Sequence, residues 1–434
     1  MNLRLQGEDF MKNVKEFKIS YNADNWDATW MREAAYTLAD KLNKKFGSDI
    51  SVAAEANGEN CVIFEKYDAD NKNLCRVYSR DGNIILAAAC ASGYDKVSEF
   101  FMSLFDGEGS FNAQLPIDAE LDAADVSMAR EYGDLRVIYH NIFGYDREPT
   151  INSEKRFDFQ VKLYREYGAP LLCLQEYDVI PRALMTPMLR EAGYSEVKVD
   201  FSALGKNCSP IFYDPSRLEL LDQGYHPFFY VSPVNPKVCN NGNTKNFTWA
   251  VFADKKTGKS FVVISLHFYY AADAVVDRNE RAESNLARIK NAEEMLDVIN
   301  NTIRVKYPAL PIVLGGDMNA CYNHASLDSV KNSVTGGRTV IDVLNEIDGF
   351  KAAQLTAPVF ADSHTTCHAY PTYDAERDFY NYCADLTGLG FERAIDHVYT
   401  VGKGIEAMTF DILHNSIALK CSDHCPIAVD LKFE

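Results

Sequence analysis

Apolar positions along this chain recur with two different periods, and the period changes mark its elements. From residue 135 onward, short apolar runs dominate: LRVIYHNIF (135–143), PLLCLQEY (170–177), VKVDFSAL (197–204), SPIFYD (209–214), NFTWAVFADK (246–255), KSFVVISLHFYY (259–270), PIVLGGDMNA (311–320), RAIDHVYT (393–400) and DHCPIAVDLKF (423–433). Their length and their Val, Ile, Phe and Tyr content predict buried strands. Between them, helical spacing covers 152–168, 182–192 and 277–304. Strands alternating with helices predict an α/β fold.

The first hundred residues run through a cycle of their own. EFKISYN (16–22) reads as a strand, and residues 27–47 as an amphipathic helix closed by Gly47. Further strands follow in SDISVAAE and CVIFEKY, then a hairpin turning on Asp81-Gly82, then a helix through YDKVSEFFMSLF. The order β-α-β-β-β-α describes a small α+β domain. Residues 106–134 are acidic, rich in small side chains and without clear periodicity, which predicts a linker. The expected division is 1–128 as an accessory domain ending in that linker, and 129–434 as the main domain.

Composition narrows the function. The 434 residues carry 44 Lys+Arg against 62 Asp+Glu, a net charge of −18, and 47% are hydrophobic. That excludes a disordered chain and argues against broad nucleic-acid affinity, which rests on a basic face that neutralises phosphates. The eleven cysteines are scattered through apolar runs, as expected of reduced, buried thiols. The opening residues lack a signal-peptide core, and no apolar stretch is long enough to span a membrane. The expectation is a cytoplasmic protein. All nine histidines fall at or after His140, so imidazole chemistry belongs to the second domain.

Polar residues end the apolar runs: Asn141 after RVIYH, Gln175-Glu176 after LLCL, His267 after VVISL, Asp317 and Asn319 in GGDMN, and Asp423-His424 in CSDHC, with Asp396 in AIDHVY. Taken singly, each has a structural explanation: a carboxylate can cap the next helix, and a lone histidine is usually a satisfied core residue. Together they place carboxylates, amides and imidazoles where a sheet presents ligands, at its strand ends. His364 and His368 have i, i+4 spacing, but the Pro-flanked, Thr-rich stretch around them predicts a loop rather than a zinc helix. Cys421 and Cys425 read as buried thiols and Arg288 as structural. The aromatic stretches 224–231 and 267–273, with Tyr370, Tyr373, Tyr380 and Tyr382, divide between core and a possible substrate wall.

In this order the motifs resemble the endonuclease/exonuclease/phosphatase superfamily, over roughly residues 133–434. The resemblance implies a four-layer α/β sandwich of two packed mixed sheets flanked by helices. It also implies in-line attack of water on a phosphodiester or phosphomonoester, with Mg²⁺ or Mn²⁺ as cofactor. Glu176 then corresponds to the metal carboxylate, with Asp423 near the ion. Asn141, Asn319 and His267 correspond to phosphate-binding residues. Asp317 corresponds to the residue that orients or deprotonates the water, and His424 to a histidine paired with Asp396. His267 matches the deoxyribonuclease and phosphatase branches rather than the abasic-site branch. Which of His424 and Asp317 is the general base stays open. The acidic balance favours a small phosphate ester or headgroup over nucleic acid. The alternatives are a metal-dependent nuclease and a non-catalytic binding module that keeps the fold.

Overall fold

The computed structural model describes residues 13–22, 28–55, 58, 60–129, 132–144, 152–200, 207–233, 245–270, 278–322, 338–381 and 390–434. The chain divides into two units. The first comprises residues 1–129 with the segments 374–379 and 415–417, and the second comprises the remainder.

The first unit is built on a six-stranded sheet in the order Val52–Ala53, Lys18–Tyr21, Cys61–Lys66, Asn83–Ala88, Leu74–Arg80, Asp118–Asp122. Helices Ala28–Phe46 and Ala91–Ser103 accompany it. The Asp81-Gly82 hairpin forms, with both residues at positive φ (50° and 72°) as a tight turn demands. The linker expected over 106–134 needs correcting. Asp118–Asp122 pairs antiparallel with Leu74–Arg80, and Val126–Ala129 is helical. In DAELD the half-buried Ala119 and Leu121 alternate with exposed acids, so the acidic composition concealed an edge strand. Charge on an edge strand also deters pairing with other chains. Arg76 closes the edge, its Nε and Nη2 each donating to the Asp118 carboxylate at 2.8 Å.

The second unit holds two mixed sheets. One runs Phe360–Ala361, Thr409–Ile412, Ile427–Phe433, Leu135–Asn141, Leu171–Gln175, Ile211–Tyr213, Ser195–Glu196. The other runs Leu218–Pro227, Asn246–Asp254, Ser260–His267, Ile312–Asp317, Asp396–Val401, Phe350–Ala352. Their facing sides interlock in one core: Val137, Tyr139, Leu171, Cys173 and Val429 from the first meet Ala250, Phe252, Val263, Val313 and Val398 from the second. The outer face of the second sheet is covered by Ile289, Ala292, Met295, Ile299 and Ile303 of the long helical segment 278–306. Helix Ser153–Tyr167 serves the first sheet, with the Tyr164 hydroxyl donating to His140 Nδ1 at 2.6 Å and Tyr167 O accepting from Arg136. The layers are therefore helix, sheet, sheet, helix. Because both faces of each central strand are covered, these strands are apolar along their whole length rather than alternating.

One expectation shifts here. The strand expected over VKVDFSAL lies earlier: it spans Ser195–Glu196, Val197 N adds one bond to Ile211 O at 2.9 Å, residues 198–200 are not strand, and 201–204 lie outside the described residues. Of the aromatic stretch 224–231, residues 224–227 end strand Leu218–Pro227 and Phe228 is buried in the core, while Phe229 and Val231 are exposed. Among the described residues no helix is long and apolar enough to cross a membrane, and no disulfide joins any of the nine described cysteines, seven of which are buried.

Candidate active site

Register brings the polar strand ends together. Asn141 lies opposite Gln175 in a parallel pair, His267 opposite Asp317 in another, and Asp317 opposite Asp396 in an antiparallel pair. Asp396 thus opens its strand rather than closing it, which places its side chain at the same edge. The turn before Ile427–Phe433 adds Asp423 and His424, since Ile427 pairs with Tyr139 on the Asn141 strand.

Asp317 is the centre of the arrangement. Asn141 Nδ2 donates to Asp317 Oδ2 at 3.0 Å, His267 Nε2 lies 3.2 Å from the same oxygen, and His424 Nε2 lies 4.0 Å away. Oδ1 accepts from the backbone N–H of Asn319 at 2.8 Å. Burial alone would raise the Asp317 pKa, but His267, His424 and Lys245 hold it well below the usual carboxylate range. Asn319 sits at φ 50°, and its Nδ2 donates to Phe268 O at 3.1 Å.

His424 and Asp396 form the expected pair, Nδ1–H donating to Oδ2 at 2.8 Å. Although burial opposes charge on His424, Asp396, Asp423 and Asp317 together raise its pKa well above 6.5. Burial moves Asp396 upward, against the pull of His424. The dyad is anchored from behind. Thr366 Oγ1 accepts from Asp396 N at 3.2 Å, and His140 Nε2–H donates to His424 O at 3.1 Å. The Asp423 carboxyl is also pushed up by burial, partly offset by His424, and accepts from Ser422 Oγ at 3.3 Å.

Glu176 occupies a tight corner. Its φ is 60°, and its carbonyl comes so close to Gly144 that a Cβ there would lie 1.8 Å from Glu176 O. Its Oε2 is closed to solvent and has no hydrogen-bond partner among the described residues. An orphaned carboxylate oxygen of this kind is costly unless a cation or donor meets it. Neither Glu176 nor Asp423 hydrogen-bonds to the other, so the two acids assigned to the metal are not linked directly.

Lys245 is the site residue that sequence reading missed. It is 8% exposed, its ammonium meets His267 Nε2, and Tyr270 stacks its ring 5.4 Å away. Burial lowers its pKa, while Asp317 and Glu176 work against that. Its one signal was position, at the mouth of strand Asn246–Asp254. Of the aromatic wall, Tyr370 is exposed and packs on Phe143 at 4.8 Å, while Tyr380 is core and Tyr382 lies outside the described residues.

The sequence matches no protein-family profile and no curated protein. Solved structures do match. Over 69% of its length the chain is similar to an endonuclease/exonuclease/phosphatase family protein from Bacteroides thetaiotaomicron, with 17% identity, 98% of that chain and a TM-score of 0.46. It is similar to a mannosyl-6-phosphatase of the same organism over 69% of this chain and all of that one (100%), at 18% identity and a TM-score of 0.45. A third is D. rerio TDP2 complexed with a single-strand DNA product: 16% identity, 69% of this chain, 98% of that one, TM-score 0.44.

Proposed function

We infer that the second unit is a divalent-metal-dependent phosphoester hydrolase of the endonuclease/exonuclease/phosphatase kind. The observation that carries this reading is the convergence on Asp317 of Asn141, His267, Asn319 and His424, drawn from both sheets. The orphaned Oε2 of Glu176 fits a hard cation, which prefers oxygen ligands and needs few protein carboxylates. Glu176 would hold Mg²⁺ or Mn²⁺, with Asp423 close by. When bound, the ion supplies positive charge to the phosphoryl oxygens.

The chain's own residues account for the rest. Asn141 and Asn319 offer amide donors to phosphoryl oxygens, and Lys245 adds positive charge beside them, while burial and Lys245 lower the pKa of the neighbouring His267. Asp317, kept ionised by its neighbours, orients the attacking water. His424, fixed by Asp396, faces the same oxygen of Asp317 and exchanges a proton with the reacting group. Lys245 favours a terminal phosphate, whose second negative charge a buried ammonium matches better than a diester's single one. Residues 1–128 serve as an accessory domain in this reading.

The test is turnover of p-nitrophenyl phosphate and bis-p-nitrophenyl phosphate with Mg²⁺ or Mn²⁺, against single-stranded DNA. Metal-dependent hydrolysis that EDTA abolishes, faster on the monoester, supports the proposal. A preference for DNA would favour the nuclease, and no turnover with any ion would leave a binding module. Lys245→Met should raise KM for the monoester more than for the diester.

A further inference from the structure

A second cluster of ligating side chains lies away from Asp317. Strands Phe360–Ala361 and Thr409–Ile412 run parallel at the edge of the first sheet, with Phe360 opposite Thr409. Both leave the sheet in the same direction, so Asp362 and His364 emerge beside His414. Asp362 is 4% exposed. Its Oδ1 accepts from His364 Nδ1 at 2.6 Å and from the His364 backbone N–H at 2.8 Å. Its Oδ2 lies 3.7 Å from His414 Nδ1, which donates to Ile412 O at 2.7 Å. The two imidazoles are tilted against each other, centroids 4.2 Å apart and planes 36° apart. Both side chains remain partly open to water, at 38% and 40% exposure.

Two imidazoles this close repel if both are charged, yet they share one buried carboxylate. A cation would take the cluster in one set of states, neutral imidazoles and an ionised carboxylate. One donor atom from each of the three residues can be chosen so that all lie within 4.8 Å of one another. The separations to the two carboxylate oxygens, 2.6 Å from His364 Nδ1 to Oδ1 and 3.7 Å from His414 Nδ1 to Oδ2, are on the scale of the roughly 3.3 Å between ligands held about 2 Å from a tetrahedral ion. Two imidazoles and one carboxylate suit a borderline metal such as zinc rather than magnesium. We propose that Asp362, His364 and His414 form a second, zinc-class cation site, through the Nδ1 atoms and the carboxylate, with water completing the shell. Binding replaces the two Nδ1 protons with the ion.

The site has a structural task within reach. The segment leaving it carries Thr366, whose Oγ1 accepts from Ile395 N at 3.0 Å and from Asp396 N, and Cys367, which bridges to His424. An ion at Asp362 and His364 would fix the start of the segment that supports the dyad.

The full-length protein, in saturating Mg²⁺, is dialysed against micromolar Zn²⁺ and, separately, Co²⁺. The expected result is one Zn²⁺ per chain, Co²⁺ absorption bands of a nitrogen- and oxygen-ligated ion, and proton release on binding. His414→Ala and His364→Gln, made separately on partly exposed side chains, should each weaken Zn²⁺ binding at least tenfold. Glu176→Gln should leave it unchanged. Unaltered binding in both histidine variants overturns the proposal, as does no binding by the wild type. Loss in Glu176→Gln alone overturns it too, because the zinc would then occupy the acidic centre.

Discussion

Glu176 combines a left-handed backbone with a carboxylate oxygen that no described residue satisfies. Both features are costly, and such costs gather where a site requires them. Under the proposed reading, Glu176→Gln keeps the shape and removes the charge that offsets dehydration of the ion. The expected outcome is a large rise in the Mg²⁺ concentration needed for half-maximal rate, with part of the rate recovered in excess Mn²⁺. Metal titration of activity checks it. The dyad should respond differently. His424→Ala should lower kcat by about 10²–10⁴-fold with little change in metal requirement. Asp396→Asn should cost less, since the imidazole stays and only its orientation and charge are disturbed. Equal metal dependence in all three variants would refute the division of roles.

The strands do the assembly, and their ends were readable because each apolar run stops at a polar residue. Asn141, His267 and Asp317 are each the last residue of their strand; register sets His267 beside Asp317, and the packing of the two sheets brings Asn141 to them. What composition hid was of another kind. Strand Asp118–Asp122 is too acidic to look like a strand, and Lys245 comes just before one rather than ending it. The pairing of His364 with His414 joins positions fifty residues apart through parallel edge strands, which no local spacing reveals; the only local spacing there, His364 to His368, reads as a loop. Buried Arg156 shows the same limit. Its guanidinium donates to Ile142 O and Phe143 O at 2.6 Å and to Cys421 O at 2.8 Å, tying the Asn141 loop to the turn that carries Asp423 and His424. The loop after Asn141 has a sharper constraint at Gly144, where a Cβ would collide with Glu176 O. Gly144→Ala must push the two loops apart. It should therefore mimic Glu176→Gln in metal requirement while also lowering the midpoint of thermal unfolding, which a scan with and without Mg²⁺ resolves.

Stability of the entire chain should depend on acid through histidines that folding keeps neutral. His140 is fully buried between the Tyr164 hydroxyl and His424 O, and burial brings its pKa down from 6.5 to about 3. His397, whose Nε2–H donates to Ala320 O at 2.6 Å, is likewise lowered by burial, to about 4. For each, the unfolded state takes up a proton near pH 6.5 that the folded state refuses. The stability they protect is complete above pH 6.5 and falls as the pH drops toward 3 or 4. His424 has the opposite shift but is protonated in both states at pH 5, so it contributes little there. Each refused proton adds up to about 1.4 kcal/mol per pH unit to the slope of unfolding free energy. Between pH 6 and 5, above the titration of most carboxylates, His140 and His397 should make the protein lose stability steeply. His140→Gln keeps a donor toward His424 O but cannot titrate. Its unfolding free energy will be lower at pH 7, yet the slope should be shallower by close to one proton's worth. Urea unfolding at pH 6.0, 5.5 and 5.0 measures both slopes, and parallel lines for the two proteins would show that His140 is already protonated in the folded state.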